Sequence, residues 1–395
     1  MGQKVTYIDE TDIKNKRVLV RADFDVSLNP NYTIADDARI RQNIPTLKYL
    51  LKNNNKLICV AKLDRPKMRD PKLSLRVVVD KLKEYLPEYT ITLVDDFLHP
   101  DEGIFENQKN NEILVLENIR FYPEEKKNDS EFARKLASLA DVYVNDAFAV
   151  SHRTEASIVA ITSFLPSYAG LLLKKEIEMI SRVISKPEKP VVAIIGGAKI
   201  SSKIMLINKL TEIANYVLVG GGLANTFFCA QGLEIGKSFC EYEAVSMAKK
   251  LLFLAAQKNT AVILPSDVII GEMDNGTNGG EVKKIDEIPK NAMILDIGPE
   301  TQAKYGSVIA KAKTIVWNGP VGYFENPSFK RGTDFIYYSI AQNKEAISIV
   351  GGGDTLSAIS KKEYLDKITH ISTGGGAMLE FIEKGTLPGI EALKR

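Results

Sequence analysis

Short apolar runs recur along the whole chain, each separated from the next by a longer amphipathic stretch. This alternation is what a parallel sheet with helical crossovers requires. In the first half the runs fall at 18–20, 57–61, 91–94, 113–116 and 142–144; in the second they fall at 191–195, 216–219, 261–264, 293–295, 314–317 and 348–350. Each half therefore predicts an open α/β domain with a doubly wound parallel sheet. At 395 residues the chain is also too long for a single core, so two domains are expected. The stretch 170–186, GLLLKKEIEMISRVISK, has apolar residues at helical spacing and is followed by Pro187 and Pro190, which predicts a linking helix. The domains are then 1–169 and 187–376, and the polar, glycine-bearing segment 271–288 reads as a loop or short hairpin excursion.

Arginine and glycine are distributed in opposite ways. Eleven of the 13 arginines precede position 186, whereas only Gly2, Gly103 and Gly170 of the 27 glycines do. Arginine presents a rigid fork of donors to carboxylate or phosphate, and glycine allows backbone to approach phosphate closely. Ligands of open α/β sheets bind beyond the carboxyl ends of the strands, and the asymmetry falls there. In the first half Arg21, Asp23 and Asp25 follow the 18–20 run, Lys62 and Arg65 follow 57–61, Arg120 follows 113–116, and Arg153 lies beyond 142–144. Arg39 sits at the start of an expected helix in DDARIR. Together these predict a pocket for a small polyanion. Asp23 and Asp25 read either as paired carboxylates for acid–base work or a metal, or as groups that orient the arginines and bond a substrate hydroxyl. Their basic surroundings favour the second role, since both would stay ionised. His152 adjoins Arg153, but His99 and His370 are distant in sequence and read as structural, so no Ser/His/Asp triad is expected.

In the second half four glycine clusters end strands: Gly196-Gly197-Ala198-Lys199, Gly220-Gly221-Gly222, Gly351-Gly352-Gly353-Asp354-Thr355 and Gly374-Gly375-Gly376. Four such clusters predict backbone amides turned toward nucleotide phosphates. Lys199 and Lys203, one helical turn apart, are placed to reach the same phosphates. No G-x-G-x-x-G is present, which removes the main support for a dinucleotide enzyme, and GLEIGKS at 232–238 is one residue short of a Walker A loop. A net charge of +2 gives no polyelectrolyte signature of nucleic-acid binding. No run is long enough to cross a bilayer, and the first residues lack the apolar core of a signal peptide, so a cytoplasmic protein is expected. Cys59, Cys229 and Cys240 are scattered and read as reduced packing residues.

The segments RVLVRADFDV, LENIRFYPEE, VNDAFAVSHR, AIIGGAKISSKI, GGGLANTF, IVWNGPVGYFE, VGGGDT, ISTGGGAMLE and LPGIEAL resemble the motifs of the phosphoglycerate kinase family, in that family's order and along nearly the full chain. The resemblance implies two Rossmann-like domains flanking a cleft, hinge closure, a tail at 377–395 that completes the first domain, and a monomer. It implies reversible phosphoryl transfer between 1,3-bisphosphoglycerate and MgADP, giving 3-phosphoglycerate and ATP. Carried over by motif, Asp23, Arg39, Arg65, Arg120 and Arg153 hold the glycerate, and Asp25 and Lys62 are expected at the same substrate site although they depart from the motif. Gly197, Lys199, Lys203, Gly221, Asn318, Pro320, Glu325, Gly352, Gly353, Asp354 and Thr355 hold the nucleotide, with Asp354 the magnesium contact. Arg39, Lys203 and Gly374, Gly375 and Gly376 act on the group in flight. The chain departs from the family pattern where DFN is Asp23-Phe24-Asp25, where SHLGRP is Ala61-Lys62-Leu63-Asp64-Arg65-Pro66, where GTAHR is AVSHR, and at Ser202, usually aspartate. An added carboxylate beside an anionic substrate calls for neutralisation, and a Lys62–Asp25 pair would supply it. The departures leave open a divergent member that binds nucleotide but acts on another acyl phosphate or is inactive.

Overall fold

The computed structural model describes residues 4–272, 280–359 and 362–394. The chain divides into two compact units, Met1–Glu178 with Thr386–Arg395, and Met179–Gly385.

The first unit is built on β1 (Arg17–Arg21), β2 (Lys56–Val60), β3 (Thr90–Val94), β4 (Glu112–Leu116), β5 (Val142–Asn145) and β6 (Ser167–Ala169). They form one sheet in the order β3-β4-β2-β1-β5-β6, every pairing parallel. Successive residues of β1, β2 and β5 are buried on both faces, which is why their sequences run apolar rather than alternating. Helix α1 (Ala38–Lys52) buries Ile40, Leu47, Leu50 and Leu51, and α2 (Arg76–Tyr85) buries Val78, Val79 and Leu82. Each such side chain contributes roughly 1.5–3 kcal/mol of burial. The strand order reverses around β1, between β2 and β5, so the β1 and β2 loops open at a switch point.

In the second unit β7 (Val191–Ile195), β8 (Tyr216–Val219), β9 (Ala261–Ile263), β13 (Thr314–Asn318), β14 (Ile347–Gly351) and β15 (His370–Ser372) form a second parallel sheet, in the order β9-β8-β7-β13-β14-β15. Between β9 and β13 the chain makes β10 (Asp267–Gly271), β11 (Glu281–Lys284) and β12 (Met293–Ile297), an antiparallel sheet in the order β11-β10-β12. The apolar run at 293–295 thus belongs to this excursion and not to the main sheet. Its composition is the same in either setting, so periodicity could not assign it. Residues 273–279 of the expected excursion lie outside the described residues.

The linking stretch is an α-helix, α3 (Leu171–Ser185). Its first turn is held from a distance: Asp146 Oδ1 accepts from the amides of Leu172 (2.9 Å) and Leu173 (3.2 Å), and Thr46 Oγ1 accepts from Leu171 (3.0 Å). Burial pushes the Asp146 carboxyl up to about 7 against these bonds. The C-terminal segment packs on the first unit, where the Gly389 amide donates to the Ser151 carbonyl (2.8 Å) and Lys394 bridges Val5.

Candidate functional site

Beyond β1 and β2 the structure brings four expected residues together. Arg39, from the first turn of α1, places Nη1 3.2 Å from Asp23 Oδ1 and 3.6 Å from Asp25 Oδ2. Asp25 Oδ2 also accepts from Lys62 Nζ, and Asp25 Oδ1 accepts from the Asp64 amide at 2.7 Å. Burial drives the Asp25 carboxyl up, but Lys62, Arg39 and the Asp64 amide outweigh it and hold it below the usual carboxylate range. Lys62 is itself buried, which lowers its pKa despite the pairing. Asp64 takes φ +57°, a left-handed conformation that aspartate tolerates better than most residues, so the exchange of a family glycine for aspartate is accommodated here. Asn43 fixes the strand end, accepting from the Asp23 amide and donating to the Asp23 and Arg39 carbonyls. The second carboxylate oxygen of Asp23 is buried without a hydrogen-bond partner.

A second group forms around Glu155. Arg120 Nη2 bonds Glu155 Oε1, and Arg153 Nη1 lies 3.7 Å from the same oxygen. Glu155 Oε2 and the Nε atoms of both arginines are buried with no hydrogen-bond partner. Two guanidinium groups thus share one carboxylate, leaving a net positive charge and unspent donors. Arg65 is exposed on the β2 loop. Arg21, by contrast, turns into the protein: Nε donates to Ser157 (2.9 Å), which is tied to the buried Glu125, so it is structural rather than part of the anion pocket.

The loops carrying these groups are clipped by Asn118, fully buried, which bonds Leu63 N, Leu63 O, Leu73 O and Arg120 N. Sequence reasoning passed over Asn118, Asn43 and Glu155. The only local signal was that Asn118 stands two residues before Arg120 and Glu155 two after Arg153.

In the second unit the glycine clusters behave differently from the expectation. The amides of Gly196, Gly197, Gly220 and Gly221 are spent on Asn318, Pro320, Ile195 and Val321 carbonyls, at 3.0, 2.8, 3.0 and 2.8 Å. A Cβ on Gly196 would lie 2.0 Å from the Pro320 oxygen, and Gly221 takes φ +65°. These glycines let backbones touch, and their amides are not turned to a ligand. Gly353, Gly375 and Gly376 differ: a Cβ on any of them meets nothing within 4 Å, so contact does not demand glycine there, although Gly375 takes φ +49°. Gly374 donates its amide to Ser372 Oγ at 3.2 Å.

Lys199 and Lys203 do not share an α-helical turn, because a 3-10 turn occupies Ser201–Lys203 and the helix begins at Ile204. Lys199 is exposed, whereas Lys203 is turned inward, its Nζ donating to the Gly196 (2.6 Å) and Asn318 (3.2 Å) carbonyls. Burial pulls the Lys203 pKa down to about 8, opposed by the charge of Asp354. Asn318 and Thr355 are buried framework: Asn318 donates to Gly351 O (2.8 Å), and the Thr355 hydroxyl joins Gly319 N (2.7 Å) to Gly351 O (3.0 Å). Gly352 passes 2.7 Å from Asn318 Nδ2 at the would-be Cβ.

Around these strand ends lies a largely apolar pocket of about 310 Å³. Gly197, Gly221, Pro320, Glu325 and Asp354 border it, with Phe228, Leu295, Val321 and Phe324 among its walls. The segment 232–238 is a loop, with Gly236 backed against the Pro289 and Ala292 carbonyls. Glycine there serves a turn, as the missing first glycine of a Walker motif suggested.

A largely apolar pocket beside glycine-lined strand ends, and arginines clustered at the strand ends of a separate α/β unit, are what the sequence resemblance leads one to look for. The family model described as phosphoglycerate kinase matches residues 8–385. The chain belongs to the phosphoglycerate kinase family. It is 45% identical to the phosphoglycerate kinase of Dictyoglomus turgidum over 393 residues, covering 99% of both chains. It is 42% identical to the cytosolic phosphoglycerate kinase of Nicotiana tabacum, covering 99% of this chain and 98% of that one. The solved structure of phosphoglycerate kinase from Coxiella burnetii matches with a TM-score of 0.88 at 37% identity, and that from Pyrococcus horikoshii with 0.83 at 30%, each covering 98% of both chains. As a member of this family the chain is a glycolytic phosphotransferase that moves a phosphoryl group to and from a carboxyl group. Nothing in the comparisons favours the divergent or inactive alternative.

Proposed function

We propose that the first unit binds 3-phosphoglycerate or 1,3-bisphosphoglycerate through Asp23, Asp25, Arg39, Lys62, Arg65, Arg120 and Arg153. The second unit binds ATP or ADP through the pocket bordered by Gly197, Gly221, Pro320 and Glu325, with Lys199 and Lys203 toward the phosphates. The observation that carries this reading is the pair of unlike sites: unspent, buried guanidinium donors in one unit and an apolar pocket with open glycine turns in the other.

The nucleophile of this reaction is a carboxylate that is already ionised, so no general base is needed, and positioning with charge neutralisation carries the catalysis. Arg39 stabilises charge on the transferring group. Asp23 orients it, holding Nη1 at 3.2 Å. Asn318, Gly352 and Thr355 act by bracing the strand ends, Gly353, Gly375 and Gly376 leave space for the phosphates, and Gly374, whose amide is held by Ser372 Oγ, would have to exchange that bond to meet them. Asp354 is exposed at the pocket, and among the described residues no group of three or more His, Cys, Asp or Glu could hold a metal by itself. That donor set fits magnesium, which is commonly held by one or two carboxylates plus substrate phosphates. When bound, the ion neutralises phosphate charge. Movement of one unit relative to the other, a monomeric state and a cytoplasmic location complete the reading; among the described residues no helix is long and apolar enough to cross a membrane.

A coupled assay with ATP and 3-phosphoglycerate tests it. Turnover should require both, and Arg39→Ala should lower kcat by roughly a hundredfold or more, as removal of a transition-state charge partner does. Full activity in Arg39→Ala would remove Arg39 from the mechanism.

A further inference from the structure

Arg120, Arg153 and Glu155 form a cluster that solvent reaches from one side. The side chains of Arg120 and Glu155 are 3% and 6% exposed, whereas that of Arg153 is 32% exposed, so an anion meets the cluster through Arg153. Both guanidinium groups lean on a single oxygen: Arg120 Nη2 donates to Glu155 Oε1, and Arg153 Nη1 stands 3.7 Å from it. Neither makes the paired, fork-like contact that is the strongest an arginine offers a carboxylate. The Nε of each arginine and Oε2 of Glu155 are left buried with nothing to bond. A buried network satisfied only in part loses much of its stabilising effect. Glu155 thus holds two like charges together without saturating either of them.

Charge balance indicates which end of the substrate this cluster faces. Beyond β1 and β2 the ion-paired groups are Arg39 and Lys62 against Asp23 and Asp25, which cancel. Arg120 and Arg153 against Glu155 leave one positive charge over. The phosphate of 3-phosphoglycerate carries about −1.5 to −2 at neutral pH, more than its carboxylate does. The more highly charged end therefore belongs at the arginines that Glu155 holds, and a phosphate on Arg153 stands beside a carboxylate paired with the same guanidinium.

We propose that Glu155 is a positioning residue that sets the affinity for the substrate's phosphate: it is the internal counter-ion of Arg120 and Arg153, keeping the pair assembled in the free enzyme and repelling the phosphate that comes to share it. The inference rests on the placement of 3-phosphoglycerate in the first unit. Assembling two guanidinium groups is unfavourable without an anion between them, and Glu155 supplies that anion before the substrate arrives. Once the phosphate is bound, the same carboxylate is a like charge at close range, which weakens the complex and favours its release.

The test is a titration of 3-phosphoglycerate into the wild type and Glu155→Gln, with inorganic phosphate as its competitor. The variant keeps the shape of the side chain and loses its charge. It should bind both ligands roughly tenfold more tightly, as removal of a nearby like charge dictates. Its KM for 3-phosphoglycerate should fall while its KM for ATP stays. Binding that is unchanged or weaker in a folded Glu155→Gln overturns the proposal and leaves Glu155 a structural residue. Because the two guanidinium groups then lack a counter-ion, the variant should melt below the wild type, and phosphate should raise its melting temperature by more than that of the wild type. If Glu155→Gln is unfolded by itself, phosphate should restore the fold, and failure to do so overturns the proposal as well. Failure of the underlying placement has its own signature: Arg153→Ala that binds 3-phosphoglycerate and phosphate as the wild type does removes the phosphate from this cluster, whatever Glu155→Gln shows.

Discussion

At the residue scale the most distinctive feature is the exchange of two positions in one pocket. Asp25 adds a negative charge where an anionic substrate is proposed to bind, and Lys62 answers it within hydrogen-bond distance. Removing the lysine alone would leave Asp25 facing the substrate with Arg39 and one amide for compensation. Lys62→His should therefore reduce kcat/KM for 3-phosphoglycerate more than the double variant with Asp25→Asn does, with a coupling of about 1–2 kcal/mol in the cycle. Additive effects would show that the two residues act separately. Lys203 gives a pH prediction of defined sign. Its pKa of about 8 lies below the ordinary lysine value because burial disfavours the charge. As pH rises through 8 the free enzyme loses the cation proposed to meet the phosphates, so kcat/KM for ATP should fall on an alkaline limb near pH 8. Lys203→Arg, which keeps its charge, should lose that limb. A limb that stays in place would assign it to another group.

At the scale of elements, the glycine-rich strand ends serve two purposes that sequence alone does not separate. Gly196 is required by contact, since a Cβ there falls 2.0 Å from a backbone oxygen that cannot retreat without moving the β13 loop. Gly353 opens the helix α4 (Gly353–Ala358), where a Cβ would meet nothing. Gly196→Ala should lower the melting temperature, at a cost on the order of 1–3 kcal/mol for the forced backbone shift. Gly353→Ala should melt like the wild type while binding ATP more weakly. Equal thermal stability of the two variants would contradict the distinction. In the first unit the comparable framework is Asn118, whose four bonds join the β2 and β4 loops. Loop geometry here is set by one buried amide rather than by glycine.

At the scale of the whole molecule, the sequence carried the fold because both sheets are buried on both faces, so their central strands announce themselves as apolar runs. The runs at 191–195 and 216–219 match β7 and β8 residue for residue. Strands β6 and β15, SYA and HIS, are three-residue edges with no apolar run to mark them. For the site, position was legible and partnership was not. Strand-end arginines could be located by the switch-point rule, but that Arg120 and Arg153 share Glu155, or that Arg21 turns away toward Ser157, depends on side-chain directions fixed by tertiary packing. The Lys62–Asp25 pair was legible because charge balance alone required a neutralising partner. The central claim is that each unit holds its own anion. Calorimetric titration of 3-phosphoglycerate and ATP, separately, into the wild type, Arg65→Ala/Arg153→Ala and Lys199→Ala tests it most directly. The account predicts that the arginine double variant loses roughly tenfold or more in 3-phosphoglycerate affinity, as lost charge-assisted bonds would dictate, while binding ATP normally, and that Lys199→Ala does the reverse. Loss of ATP binding in the arginine variant, or unaltered 3-phosphoglycerate binding there, would contradict it.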